Sequence, residues 1–241
     1  MLDLIGTTVL TAMIAVNLNA AIAMMPMSPV QKLTTVTIAG LWIGLAIALG
    51  TTGIYASTAT PVPVVGVMVA LPLIAIGAAA LLSSRVRETL LALPVQLLLG
   101  LNAARILPGA FILLLASQGK LSGPFPQSAG WGDIIVGIIA VPLMLAVARN
   151  LAGSRRAVLA WNILGTLDLA EAVALGVLSA PGSPLQIFGG AIGSTAMWSL
   201  PWSTIPTLLV PFYFLTHGII LARLLQGKRQ TDAFAASQAR L

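Results

Sequence analysis

Seven stretches of this chain stay apolar for about twenty residues, the length a helix needs to cross the hydrocarbon core of a bilayer. They cover residues 4–25, 33–55, 64–82, 90–116, 130–147, 157–178 and 205–225. The breaks between them, at 26–29, 61–63, 83–87, 119–126, 150–156 and 181–203, collect Pro, Gly, Ser and charged residues. The pattern predicts an all-α polytopic membrane helix bundle of seven transmembrane helices. Residues 1–227 form a single transmembrane domain in this reading, and 228–241 a short polar cytoplasmic tail. The first run follows Met1-Leu2-Asp3 without the basic start of a cleaved signal peptide, and is read as the first span.

Composition excludes the alternatives. The chain is 58% hydrophobic and 7% charged, with a mean hydropathy of +1.02. A soluble domain carries roughly a quarter charged residues. The net charge of +6 would suggest nucleic acid in a soluble chain, but here the basic residues sit in turns, where they set membrane orientation. Lys32 lies in the first turn, Arg85 and Arg87 in the third, Lys120 in the fourth, and Arg149, Arg155 and Arg156 in the fifth. Arg223, Lys228, Arg229 and Arg240 follow at the end. The alternation predicts an N-terminus outside and a C-terminus in the cytoplasm, and localisation as a multi-pass protein of the cell (inner) membrane. No cysteine is present, which removes disulfides, thiolate catalysis and Cys-ligated metals. The single histidine removes the usual multi-histidine metal sites.

Several features refine this picture. The fourth run contains Pro94, Gly100 and Pro108 and is expected to kink. The 181–203 segment, with Phe188, Trp198 and Trp202 among many glycines, is expected to form a short amphipathic or re-entrant piece. Ile14-Ala15-Val16 aligns with Ile139-Ala140-Val141, and residues 46–50 with 172–176, which suggests three helices repeated about a linking fourth. Gly40 and Gly44 form a small-xxx-small pair that fits internal packing or a homo-oligomer.

Ionisable groups inside a bilayer cost a few kcal/mol each even on lenient scales, so each needs a partner, a cavity or a function. Arg105 lies near the middle of the fourth run, too deep to snorkel, and requires an acid or an anionic ligand. Asn102, one turn earlier, is placed to orient its guanidinium. Asp168 sits halfway along the sixth helix with Glu171 one turn further out, and Trp161, Asn162 and Gly165 extend the same polar stripe. Asp133, after Gly130-Trp131-Gly132, reads first as a capping or first-turn acid. His217, with Tyr213 one turn before it, fits a packing histidine, a proton relay to Asp168 or Glu171, or an axial haem ligand. No buried lysine is available for a retinal Schiff base.

The segment Ala129-Gly130-Trp131-Gly132-Asp133, the segment Trp161-Asn162-Ile163-Leu164-Gly165 with Asp168, and Pro211 with His217 resemble a family of bacterial multi-helix membrane proteins without an assigned activity. The likeness runs from Arg105 to Leu225. It implies a bacterial inner membrane and lends no mechanism.

The reading these residues favour is an intramembrane polar pocket between helices 4 to 7 that binds a small molecule, with proton-linked transport as its use. Arg105, Asp133, Asp168, Glu171, His217, Asn162 and Asn102 form the candidate ligand-binding or proton-relay set. An acid–base enzyme acting on a lipid or isoprenoid, a structural or assembly protein, and a haem-binding membrane protein are the alternatives. The lipid bilayer is the expected partner, with no nucleic acid, and no cofactor is specified.

Overall fold

The computed structural model describes residues 1–56 and 64–238, with side chains described as far as residue 226. The turn expected at 61–63 and the charges of the polar tail lie outside the described residues. Helices account for nearly all regular structure: α1 (Leu2–Met24), α2 (Pro29–Thr51), α3 (Val64–Leu82), α4 (Ser84–Leu91), α5 (Val95–Ala103), α6 (Ile106–Ser117), α7 (Phe125–Ala148), α8 (Ser154–Leu178) and α9 (Val210–Gln238). Seven spans result, because α5 and α6 together make the fourth and a turn at Ile205–Leu209 leads into α9 to make the seventh. The protein is a multi-pass, all-helical bundle. Its exposed surface is rich in Leu, Ile and Val, as a lipid-facing surface requires.

Local chemistry explains the element ends. Ser28 caps α2 by accepting from the Gln31 N–H, while the Gln31 side chain accepts from the Ser28 N–H. With Pro29 as its first residue, α2 begins before the expected residue 33, and it ends at Thr51. Tyr55 therefore sits beyond it, in a 3₁₀ turn at Ile54–Ala56, with its hydroxyl donating to Ala46 O at 2.8 Å.

The expected fourth run is three elements. Residues 84–91 form the separate short helix α4, and Pro94 then starts α5. The kink falls at Ala104 and Arg105. Pro108 has no N–H to offer Ala104 O, and its ring would clash with that carbonyl in a regular helix. Leu107 N–H bonds Ala104 O instead, a tighter turn, and regular pairing resumes with Gly109 N–H to Arg105 O.

The fifth helix differs most from expectation. It begins at Phe125, with Pro126 in its first turn where no donor is needed, rather than at residue 130. Asp133 is therefore on the order of 12 Å into the span at 1.5 Å per residue and caps nothing.

Glycines let three helices touch backbone to backbone. A Cβ on Gly109 of α6 would stand 2.6 Å from Gly130 O of α7, and one on Gly137 would stand 3.1 Å from Ala103 O. Most of the core is made by α1 and α5 to α9, through two apolar clusters centred on Leu115, Phe125 and Leu209 and on Leu98, Ala140 and Trp161, while a third, smaller cluster of Ala46, Tyr55, Met68 and Leu208 joins α2 and α3 to the last span. Helices α2 and α3 pack at the periphery and bury little. Gly40 and Gly44 face open space within the chain, so internal packing does not account for that pair.

The segment leading from α8 to the last span forms no α-helix. It is a glycine-rich loop with one 3₁₀ turn at Thr195–Trp198, and it folds back so that Met197 and Trp202 join the core. Trp202 lies against Gly6 of α1 and donates its indole N–H to Asp3 Oδ1 at 3.0 Å.

Candidate functional site

Arg105 is fully buried at the α5–α6 break, and the elements around it are arranged to meet its donors. Its Nε donates to Asp133 Oδ1 at 2.7 Å, and Nη2 lies 2.7 Å from the same oxygen. Nη2 also pairs with Asp168 Oδ2 of α8. Nη1 reaches Gly165 O at 3.4 Å and His217 Nε2 at 3.2 Å. The Tyr213 ring covers the guanidinium with its centroid 5.6 Å from Cζ, a cation–π distance. Four spans thus converge on one side chain.

The contact to His217 fixes its role. A guanidinium only donates, so Nε2 accepts, and the ring proton sits on Nδ1, which donates to Asn162 Oδ1 at 2.8 Å. Asn162 holds that orientation by donating its amide to His217 O at 3.2 Å. Trp161 packs against the imidazole, with the ring centroids 4.9 Å apart and the planes tilted by 36°, and donates its own N–H to Val136 O at 2.9 Å. Both ring nitrogens are engaged inside the bundle, which leaves neither to ligate a haem iron. The ring touches neither Asp168 nor Glu171 directly and joins the acids through Arg105.

Space for the cluster comes from missing side chains. A Cβ on Gly132 would collide with the Asp168 carboxylate, and one on Gly165 would stand 2.6 Å from His217 Cε1. The GWGD segment therefore contributes both the acid and the gap that the second acid fills.

Two of the predicted residues stand apart. Glu171 is exposed one turn beyond Asp168 and accepts from Ser128 Oγ of α7 at 2.8 Å, so it does not pair with Arg105. Asn102 does not orient the guanidinium. It donates to Leu98 O and to Thr216 Oγ1, each at 2.9 Å, and its Oδ1 is buried without a protein partner. Sequence reasoning missed the cover supplied by Tyr213, whose hydroxyl accepts from Asn17 of α1 at 3.3 Å, and the part of Thr216. Their spacing with His217 on one face of α9 was the available signal.

Electrostatically the cluster is unbalanced. It brings one guanidinium to two carboxylates, so with both acids ionised it carries an excess negative charge inside the span. Arg105 is sealed, while the carboxylates of Asp133 on α7 and Asp168 on α8 keep 13% and 14% of their side-chain surface open. The Ser128–Glu171 hydrogen bond joins α7 and α8 one turn along from Asp168. A separate cavity of about 450 Å³ opens at one face of the bundle, lined by Asp3, Lys120, Thr195, Ser199 and Trp202 among others, and contains none of the predicted site residues.

Residues 62–225 match the family described as a domain of unknown function, DUF8737. The chain belongs to DUF8737. The matched segment contains α3 to α8, most of the last span and the whole cluster around Arg105, so the site lies inside the part that DUF8737 defines. No curated protein and no solved structure is significantly similar to the chain.

Proposed function

We propose that the Arg105–Asp133–Asp168 cluster is a proton-linked binding site for a small molecule within the membrane, serving its transport. The observation that supports this is the convergence of two aspartates on one sealed arginine in the middle of the spans. An unmatched carboxylate at that depth is costly. A bound proton or a cationic group of a ligand removes the cost, and exchange of one for the other is the coupling step. Arg105 acts as charge compensation rather than as an anion receptor, since its N–H groups are already taken. The seam between α7 and α8, the helices that carry the two partly exposed carboxylates, is the route of access, with Glu171 at its outer end. The basic turns support an orientation with the C-terminal end of the bundle at the cytoplasmic side, in a bacterial inner membrane.

A structural ion lock is the second reading, favoured by the same engagement of every nitrogen of Arg105. Native mass spectrometry of the protein in mild detergent separates the two. A small molecule retained by the wild type and lost from Asp168→Asn supports the binding site. Ligand-free protein in both cases, with the variant folded but less stable than the wild type, supports the lock.

A further inference from the structure

We propose that the end of the bundle carrying α4 is a binding surface for the phosphate headgroups of anionic phospholipids. Alternation of the spans brings the α1–α2 turn, α4, the α7–α8 turn and the end of the last span to one face. Direct contacts tie these parts together. Arg223 of α9 donates to Leu91 O at 2.9 Å and to Leu93 O at the end of α4, and Arg155 of α8 donates to Leu224 O. The ends of α4 and α8 therefore flank neighbouring residues of α9.

The charge on this face is one-sided. It holds Lys32, Arg85, Arg87, Arg149, Arg155, Arg156 and Arg223, while Glu88 is its one acid among the described side chains. Lys32, Arg155 and Arg223 are occupied with backbone carbonyls. Arg85, Arg87, Arg149 and Arg156 are exposed and make no ion pair among the described residues.

The position of these cations runs against their own helices. The positive end of the macrodipole and the free N–H groups at a helix start favour anions. Yet α4 opens with Arg85 and Arg87, α8 with Arg155 and Arg156, and neither has an acid in its first turn. At about 12 Å, α4 is too short to span, and it joins α3 through Ser83 alone, so it lies at the membrane face at headgroup level. A phosphodiester anion there is met by arginine forks and helix N-termini together, which offsets the repulsion among the arginines.

The test uses the full-length protein in mild detergent, with dioleoylphosphatidylglycerol and dioleoylphosphatidylcholine added in equal amounts and bound lipid counted by native mass spectrometry. Preferential retention of the anionic lipid is expected, falling as salt is raised. The triple variant R85Q/R87Q/R156Q is expected to lose that preference by roughly tenfold or more. Equal retention of the two lipids by the wild type overturns the proposal, as does a preference indifferent to salt or undiminished in the triple variant. Displacement of the anionic lipid by equimolar inorganic phosphate also overturns it, because it would mark a site for free phosphate.

Discussion

At the scale of single residues, Arg105 organises the chemistry of this chain. Removing it leaves two carboxylates facing each other inside the span, and breaking a buried charge network in this way costs about 3–5 kcal/mol. Arg105→Ala is expected to lose stability of that order in reversible unfolding from mixed micelles. Arg105→Lys is expected to rescue little, because an ammonium has no planar fork to serve two aspartates, a backbone carbonyl and an imidazole at once. Unfolding of Arg105→Lys at the wild-type denaturant midpoint would contradict the geometry. The arginine and Asp168 were legible in the sequence, since a charge far from either end of an apolar run has to be answered. The identity of the answering acid was not. Asp133 reads as a helix cap when the helix is started at Gly130, and only the five residues before it, with Pro126 tolerated in the first turn, bring it to the depth of Arg105.

At the scale of helices, close approach is set by glycine rather than by apolar bulk. Gly109 and Gly130 bring the backbones of α6 and α7 together, and a methyl at Gly109 would press on Gly130 O at 2.6 Å and on Asp133 Cβ at 2.9 Å. Gly109→Ala is expected to destabilise by about 1–3 kcal/mol, the usual cost of overpacking. It is also expected to weaken ligand retention, because α7 carries Asp133. Gly44→Ala, which meets nothing within 4 Å, serves as the control and is expected to leave thermal stability in detergent unchanged. The existence and type of the spans followed from run length alone. Their ends did not, because run length is blind to the capping box at Ser28 and to the carbonyl of Ala104 that Pro108 leaves without its regular donor. The outcome at the 181–203 segment has a similar cause. Its tryptophans suggested a membrane interface, whereas the glycines and the Trp202–Asp3 bond turn the chain back onto the bundle.

For the molecule as a whole, the asymmetry of basic residues between the two faces is the basis for its orientation. The chain contains no cysteine, so single cysteines report sidedness without a background. A cysteine at Asn150, in the turn before α8, is expected to react with an impermeant maleimide only after the cytoplasmic side is opened. One at Gln118, after α6, is expected to react in intact cells. The reverse pattern would invert the topology and with it the side from which the α7–α8 seam is reached.

In the proposed site the second aspartate of the cluster exchanges a proton. Infrared difference spectroscopy of the protein in lipid, recorded between acidic and alkaline buffer and repeated in D₂O, observes this directly as the C=O stretch of a protonated carboxyl. A carboxyl band is expected that shifts on deuteration and disappears in Asp168→Asn or Asp133→Asn while remaining in Glu171→Gln. A spectrum without such a band at any pH, from folded wild-type protein, would contradict it and leave the ion cluster as a purely structural lock.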